Sequence, residues 1–265
     1  MPGGRIAYEV SGSGRPVVFV HSAISDSRLW DREMPRVARE HRAIRFDLRG
    51  YGGSSAADAP FRYVDDLAAV CRQLRVERPL LVGSSMGGAH AIDYALEHPG
   101  DLSGLFLVAP GLSGGVLPPY ETAESAAFEY DDTKSQEIAA RWSAGDAPGA
   151  FEGLRQLWCA ALHGPPLELF RRMVEANAAE VFADRSAQHA TRMPPAEPRL
   201  GSLRVPATLL FGDRDNPSSA VFAHRIAKAI SGCRLVPVAG ADHLVNLSQP
   251  TAFDAALDEA LRSTR

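Results

Sequence analysis

Short, nearly continuous apolar runs recur along the chain at intervals that a helix can fill. They are VVFV (17–20), AIRF (43–46), PLLV (79–82), LFLV (105–108), ATLLF (207–211) and LVPV (235–238). Uniform hydrophobicity of this length, without the alternation of a half-wet strand, suits strands covered on both faces. Helical patterns separate them, at 29–40, 63–74, 87–97, 220–230 and 252–261. Strands and helices in alternation leave little choice: a mostly parallel, twisted sheet flanked by helices and joined by right-handed crossovers, an α/β fold.

The rhythm breaks once. From about 111 to 201 no strong strand signal occurs, and helical stretches at 135–142, 151–162 and 166–179 take its place. This reads as a helical insertion, 111–201, carried by a core of 1–110 and 202–265. Its aromatics are Tyr120, Phe128, Tyr130, Trp142, Phe151, Trp158, Phe170 and Phe182. Most are expected to make the insertion's own core, and one or two to face a pocket.

Composition narrows the function. The 265 residues are 45% apolar with a formal net charge of -4 and no long basic run, which gives nucleic-acid binding little support. Cys71, Cys159 and Cys233 form no CxxC pair, so neither a disulfide framework nor a zinc site is suggested. They read as buried thiols of a reducing, cytoplasmic setting. No signal-peptide pattern opens the chain, and no apolar run approaches the ~20 residues of a membrane span.

The chemistry concentrates after the third apolar run. Gly83-Ser84-Ser85-Met86-Gly87 fits G-x-S-x-G, with a strand before it and a helix after it. Glycines two residues either side of a serine let strand and helix approach without a Cβ clash, and the serine between them is displayed above the strand ends. That makes Ser85 the candidate nucleophile, with Ser84 pointing elsewhere. A serine needs a base to take its proton and a carboxylate to hold that base. His243 lies on a loop just after the run 235–238. Asp213 and Asp215 both follow the run 207–211. Either order gives Ser, Asp, His along the chain.

With these blocks in place the chain resembles the α/β-hydrolase fold family with a helical cap. The resemblance covers nearly the whole length outside the cap. It rests on VVFVHSAISDSRLW, on the D-x-R-G-x-G-x-S segment from Asp47 to Ser54, on LVGSSMGG, and on GDRD with GADHLVNLSQP. The stretches WCAALHGPP and LFRRMVEANA faintly resemble enol-lactonase-like members. The resemblance implies Ser85 as nucleophile, His243 as base and Asp215 as acid, with the backbone N–H groups of Ala23 and Met86 as the oxyanion hole. The local sequence agrees on the acid, since Gly212 and Asp213-Arg214 suit a turn and Pro217 suits a helix start. Ile24, Trp142, Trp158 and Leu244 are the candidate substrate-lining side chains. Ser22, Ser84 and Asp242 depart from the family's usual residues; Asp242 is read as facing solvent.

The expected activity is hydrolysis of a carboxylic ester or lactone of a small molecule through an acyl-enzyme on Ser85. No metal, organic cofactor, nucleic acid or membrane partner is implied, and the sequence leaves the oligomeric state open. A serine at the apex argues against chemistry that forms an ester on an aspartate. The alternatives are carbon–carbon bond hydrolysis in a diketone, peracid-forming halogenation-type activity, and a non-catalytic small-molecule receptor.

Overall fold

The computed structural model describes residues 4–114, 122–182, 190–191 and 193–264. Tyr120 lies outside them. In chain order the strands are β1 (Tyr8–Ser11), β2 (Pro16–Val20), β3 (Arg42–Phe46), β4 (Leu80–Ser84), β5 (Gly104–Val108), β6 (Ala207–Gly212) and β7 (Arg234–Val238). They form one sheet in the order β1-β3-β2-β4-β5-β6-β7. Only the β1–β3 pairing is antiparallel.

The side chains of β4 and β5 are buried throughout, as uniform hydrophobicity predicts. Alternate residues serve opposite faces. Val17 and Phe19 pack with Trp30, Phe106 and Phe253 on one side. Val18 and Val20 pack with Phe46, Leu67 and Ile92 on the other. The strand missed in the sequence, β1, is an edge strand with an exposed face, so it lacks the apolar run that marks the others.

The helices are α1 (Glu33–Val37), α2 (Tyr63–Gln73), α3 (Met86–Glu97), α4 (Ala123–Ser143), α5 (Ala147–Trp158), α6 (Gly164–Ala176), α7 (Ala178–Val181), α8 (Pro217–Ala229), α9 (Val245–Ser248) and α10 (Pro250–Ser263). Two differ most from expectation. The single helix expected over 29–40 is a 3-10 turn, Ser27–Trp30, followed by the short α1. Pro35 explains the break: with no N–H it is tolerated in the first turn of α1 but not mid-helix. α4 is longer than the expected 135–142. Thr122 and Ser125 cap it reciprocally, and its buried residues are few, Ala127, Asp131 and Ile138, so periodicity gives little signal.

α4 to α7 lie between β5 and β6 as a helical insertion, and Phe151, Phe170 and Met173 join the core on the Phe19 side of the sheet. Among the described residues no helix is long and apolar enough to cross a membrane.

Candidate active site

Ser85 sits between the end of β4 and the start of α3 at φ 52°, ψ -115°. A non-glycine residue held there stores about 1–3 kcal/mol of strain. The surroundings fix it. The Ser85 N–H donates to Val108 O at 2.9 Å, and the Gly111 N–H donates to Ser85 O at 2.9 Å. The flanking glycines are required by space: a Cβ on Gly83 would lie 2.5 Å from Gly87 O, and one on Gly87 would lie 2.4 Å from Val20 O. Ser84 belongs to β4, and its hydroxyl is buried without a hydrogen-bond partner among the described residues. Met86 is the first residue of α3, where helix geometry leaves the N–H without an intrahelical acceptor.

Gly87 packs on the backbone of Val20 and His21, so the loop leaving β2 lies against the start of α3. His21 is fully buried. The Leu48 N–H donates to its Nε2 at 2.8 Å, which leaves Nδ1–H to donate to Ser22 O at 2.8 Å. Burial lowers its pKa, in keeping with a neutral ring. The Tyr51 hydroxyl donates to Ala23 O at 3.2 Å. Leu48 and Tyr51 both come from the D-x-R-G-x-G-x-S block, whose role here is to hold the loop carrying Ala23 and Ile24. Ser22, where the family usually has glycine, pairs its hydroxyl with that of Ser25 at 2.8 Å and keeps a negative φ.

β6 and β7 run parallel to β4, so the loops that follow them open at the same sheet end as the Ser85 turn. Asp215 Oδ2 lies 2.8 Å from His243 Nδ1, and both side chains are almost fully buried. A carboxylate can only accept, so Nδ1 carries a proton, and in the neutral ring Nε2 is the nitrogen left with a lone pair. The Asn216 N–H donates to the other oxygen, Oδ1, at 2.7 Å. Asp213 is exposed and accepts from the Gly240 N–H at 2.7 Å, which ties down the turn before the histidine loop.

The candidate lining residues all border the large apolar core on the Phe19 side of the sheet, with Leu244 fully buried rather than facing open space. Ile24 and Leu244 belong to this core, and Trp142 and Trp158 pack against it. Trp158 lies beside the His243 ring with centroids 4.5 Å apart, and Trp142 stacks on Phe182 at 4.5 Å. Most insertion aromatics serve packing: Phe151 meets Phe170, and Phe128 meets Phe222 of α8.

Asp242 corrects an expectation. Instead of facing solvent it is fully buried. It accepts from the Ala161 N–H at 3.1 Å and the Leu244 N–H at 3.2 Å, and burial pushes its pKa up to about 6. The physical reason is a partner 81 positions away in the insertion, which a single sequence does not reveal. Two further buried polar residues leave no local signal in the sequence. Asp131 of α4 is buried beside Ser218 at the start of α8, with its pKa raised by burial. Asn177 donates to Asp26 Oδ2 at 2.7 Å and accepts from the Gly52 N–H at 2.7 Å, clamping the insertion to the core.

The chain is similar to known proteins over nearly its whole length. Residues 17–256 match the alpha/beta hydrolase family. A pimeloyl-[acyl-carrier protein] methyl ester esterase from Edwardsiella ictaluri (strain 93-146) is 28% identical over 268 aligned positions, covering 95% of each chain. A thermophilic esterase from Thermogutta terrifontis superposes with TM-score 0.78 at 28% identity, covering 98% of this chain and 94% of its own. Est816, an N-acyl homoserine lactone degrading enzyme, superposes with TM-score 0.75 at 25% identity, covering 98% of each chain.

Proposed function

The chain belongs to the alpha/beta hydrolase family, and we propose that it is a serine hydrolase cleaving a carboxylic ester or lactone of a small, largely apolar molecule. The observation that carries the reading is a strained apex serine at the sheet end where a loop also displays a histidine whose Nδ1 is already engaged by a buried carboxylate. Ser85 Oγ attacks the carbonyl carbon while His243 Nε2 takes its proton. Asp215 holds the ring and stabilises the imidazolium. The oxyanion receives the N–H groups of Met86 and Ala23, each worth ~3–4 kcal/mol of barrier. The imidazolium then gives its proton to the leaving alkoxide oxygen, which stays tethered if the substrate is a lactone. Water, deprotonated by the same nitrogen, releases the acid and restores Ser85.

The half-buried Trp142 and Trp158, with Ile24, would supply an apolar wall backed by the fully buried Leu244, which favours an apolar acyl or alcohol group. The insertion then acts as a cap over the strand ends. The test is labelling with a fluorophosphonate probe, followed by turnover of a panel of lactones and acyclic esters. Labelling at Ser85, absent in Ser85→Ala, with turnover of at least one class supports the reading. Labelling without turnover of either class would turn it toward a small-molecule receptor.

A further inference from the structure

The loop that carries His243 is held from outside the core. The His243 N–H donates to Trp158 O at 3.0 Å, and the Trp158 indole lies against the imidazole. One residue earlier, the Asp242 carboxylate reaches the same insertion turn. Its Oδ2 accepts from the Ala161 N–H, and its Oδ1 accepts from the Leu244 N–H. Each oxygen therefore serves a different segment, one in the turn between α5 and α6 and one in the histidine loop.

We propose that Asp242 is a positioning residue for the base: its carboxylate locks the turn 159–163 onto the histidine loop, so that the His243 imidazole and the Trp158 wall are set as one unit. The inference rests on the hydrolase reading, in which His243 is the base.

The chemistry asks for a carboxylate. The two N–H donors reach different oxygens of the group, and an ionised acid offers an acceptor at each. An asparagine would turn an NH₂ group toward one donor. A glycine, the residue usual in the family here, would leave both without this acceptor. A buried carboxylate also costs free energy that a loop with no such task need not carry. The groups facing it are the Ala161 N–H and the Cys159 thiol from the insertion turn, the Leu244 N–H and the His243 ring from its own loop, and the Ser248 hydroxyl of α9. Burial and the nearby carboxylates of Asp242 and Asp215 hold the Cys159 thiol protonated. The only one of these facing groups that can become charged is therefore His243.

Burial raises the Asp242 pKa to about 6. In acid the group takes a proton, one oxygen becomes an O–H donor, and one N–H loses its acceptor. The lock then loosens as the pH falls through about 6, and this loss adds to that of the base, which acts only when neutral. Activity should fall with two protons rather than one.

The experiment follows kcat and KM for p-nitrophenyl butyrate from pH 5 to 9, in the wild type and in Asp242→Asn. The wild-type acid limb of log(kcat/KM) should approach a slope of about two, and that of the variant about one. At pH 8 the variant should lose about ten- to a hundredfold in kcat, as expected for a misplaced base. Its KM should rise severalfold as the Trp158 wall loosens. Amide hydrogen exchange in the wild type alone covers the case where the variant does not fold. Protection of Ala161 and Leu244, corrected for intrinsic rate, should drop about tenfold between pH 7.5 and 5. The Gly52 amide, bonded to Asn177 at a separate clamp, should keep its protection. A slope of one in both proteins, or Ala161 protection indifferent to pH, overturns the proposal. Failure of Ser85 to label with fluorophosphonate would instead remove the hydrolase reading, and the exchange measurement would still decide whether the lock exists.

Discussion

The two halves of the candidate site are built in different ways. The Ser85 turn is made of backbone. Glycines permit the approach of strand and helix, and main-chain bonds to Val108 and Gly111 hold the strained serine. The histidine side is made of buried carboxylates and contacts from a distance. Asp215 holds the ring, Asp242 holds the insertion turn, and Glu33 lies under α9 within 3.5 Å of Asn246. A backbone-built turn is rigid and indifferent to pH. A carboxylate-built loop is adjustable, depends on the insertion, and responds to protons. Chemical and thermodynamic tests should separate the two.

The largest effect is expected at the turn. Ser85→Ala should lower ester turnover by roughly 10⁴- to 10⁶-fold, leaving catalysis from binding and the oxyanion donors. Ser84→Ala should stay within a few-fold of wild type, because the Ser84 hydroxyl is buried in β4. An acylating probe found on Ser84 would refute the assignment. Next comes the acid. Asp215→Asn should cost about 10⁴ in kcat by favouring the wrong histidine tautomer. Asp213→Asn loses only one acceptor at an exposed turn and should keep most activity. Equal losses in the two folded variants would mean that the acid has been misassigned.

The turn should break sterically before it breaks chemically. In Gly87→Ala the new Cβ would meet Val20 O at 2.4 Å and His21 O at 2.5 Å, both backbone atoms that cannot rotate away. A loss of about 3 kcal/mol or more in denaturant unfolding is expected, or no folded protein at all. A variant as stable as wild type would show that the approach of β2 to α3 is looser than described.

The contrast also explains what the sequence disclosed. The turn was legible because its requirements are local: Gly83, Ser85 and Gly87 lie within one strand–helix junction. The sheet was legible because β2, β4 and β5 are buried on both faces, and β1 was not because it lies at the edge. Asp215 could be preferred to Asp213 from the turn chemistry around Gly212 and Pro217. Asp242 was misread because its orientation is set by Ala161, in a segment remote in sequence whose fold leaves no mark near position 242. Asn177 and Asp131 escaped for the same reason, since a polar residue on a helix reads as solvated until the element covering it is known.

The smallest effect expected is a change of stability with pH on the histidine side. Glu33 is buried, with Arg32 Nη1 at 3.2 Å and Asn246 Nδ2 at 3.5 Å, and burial pushes its pKa up from 4.5 to about 7. Between those values the folded chain holds a proton that the unfolded chain has released. Stability therefore falls as pH rises through this window, and the cost is complete above about pH 7 and absent below pH 4.5. Glu33→Gln cannot titrate, so its stability relative to wild type should improve by on the order of 2–3 kcal/mol between about pH 4.5 and pH 8. Taking the difference between variant and wild type at each pH removes the opposing trend from His21, whose burial disfavours its charged form. Urea unfolding of both proteins at the two pH values measures it. A difference that does not change with pH would mean that Glu33 is ionised at no cost, through its pairing with Arg32. The histidine side would then be no more sensitive to protons at this position than the serine turn.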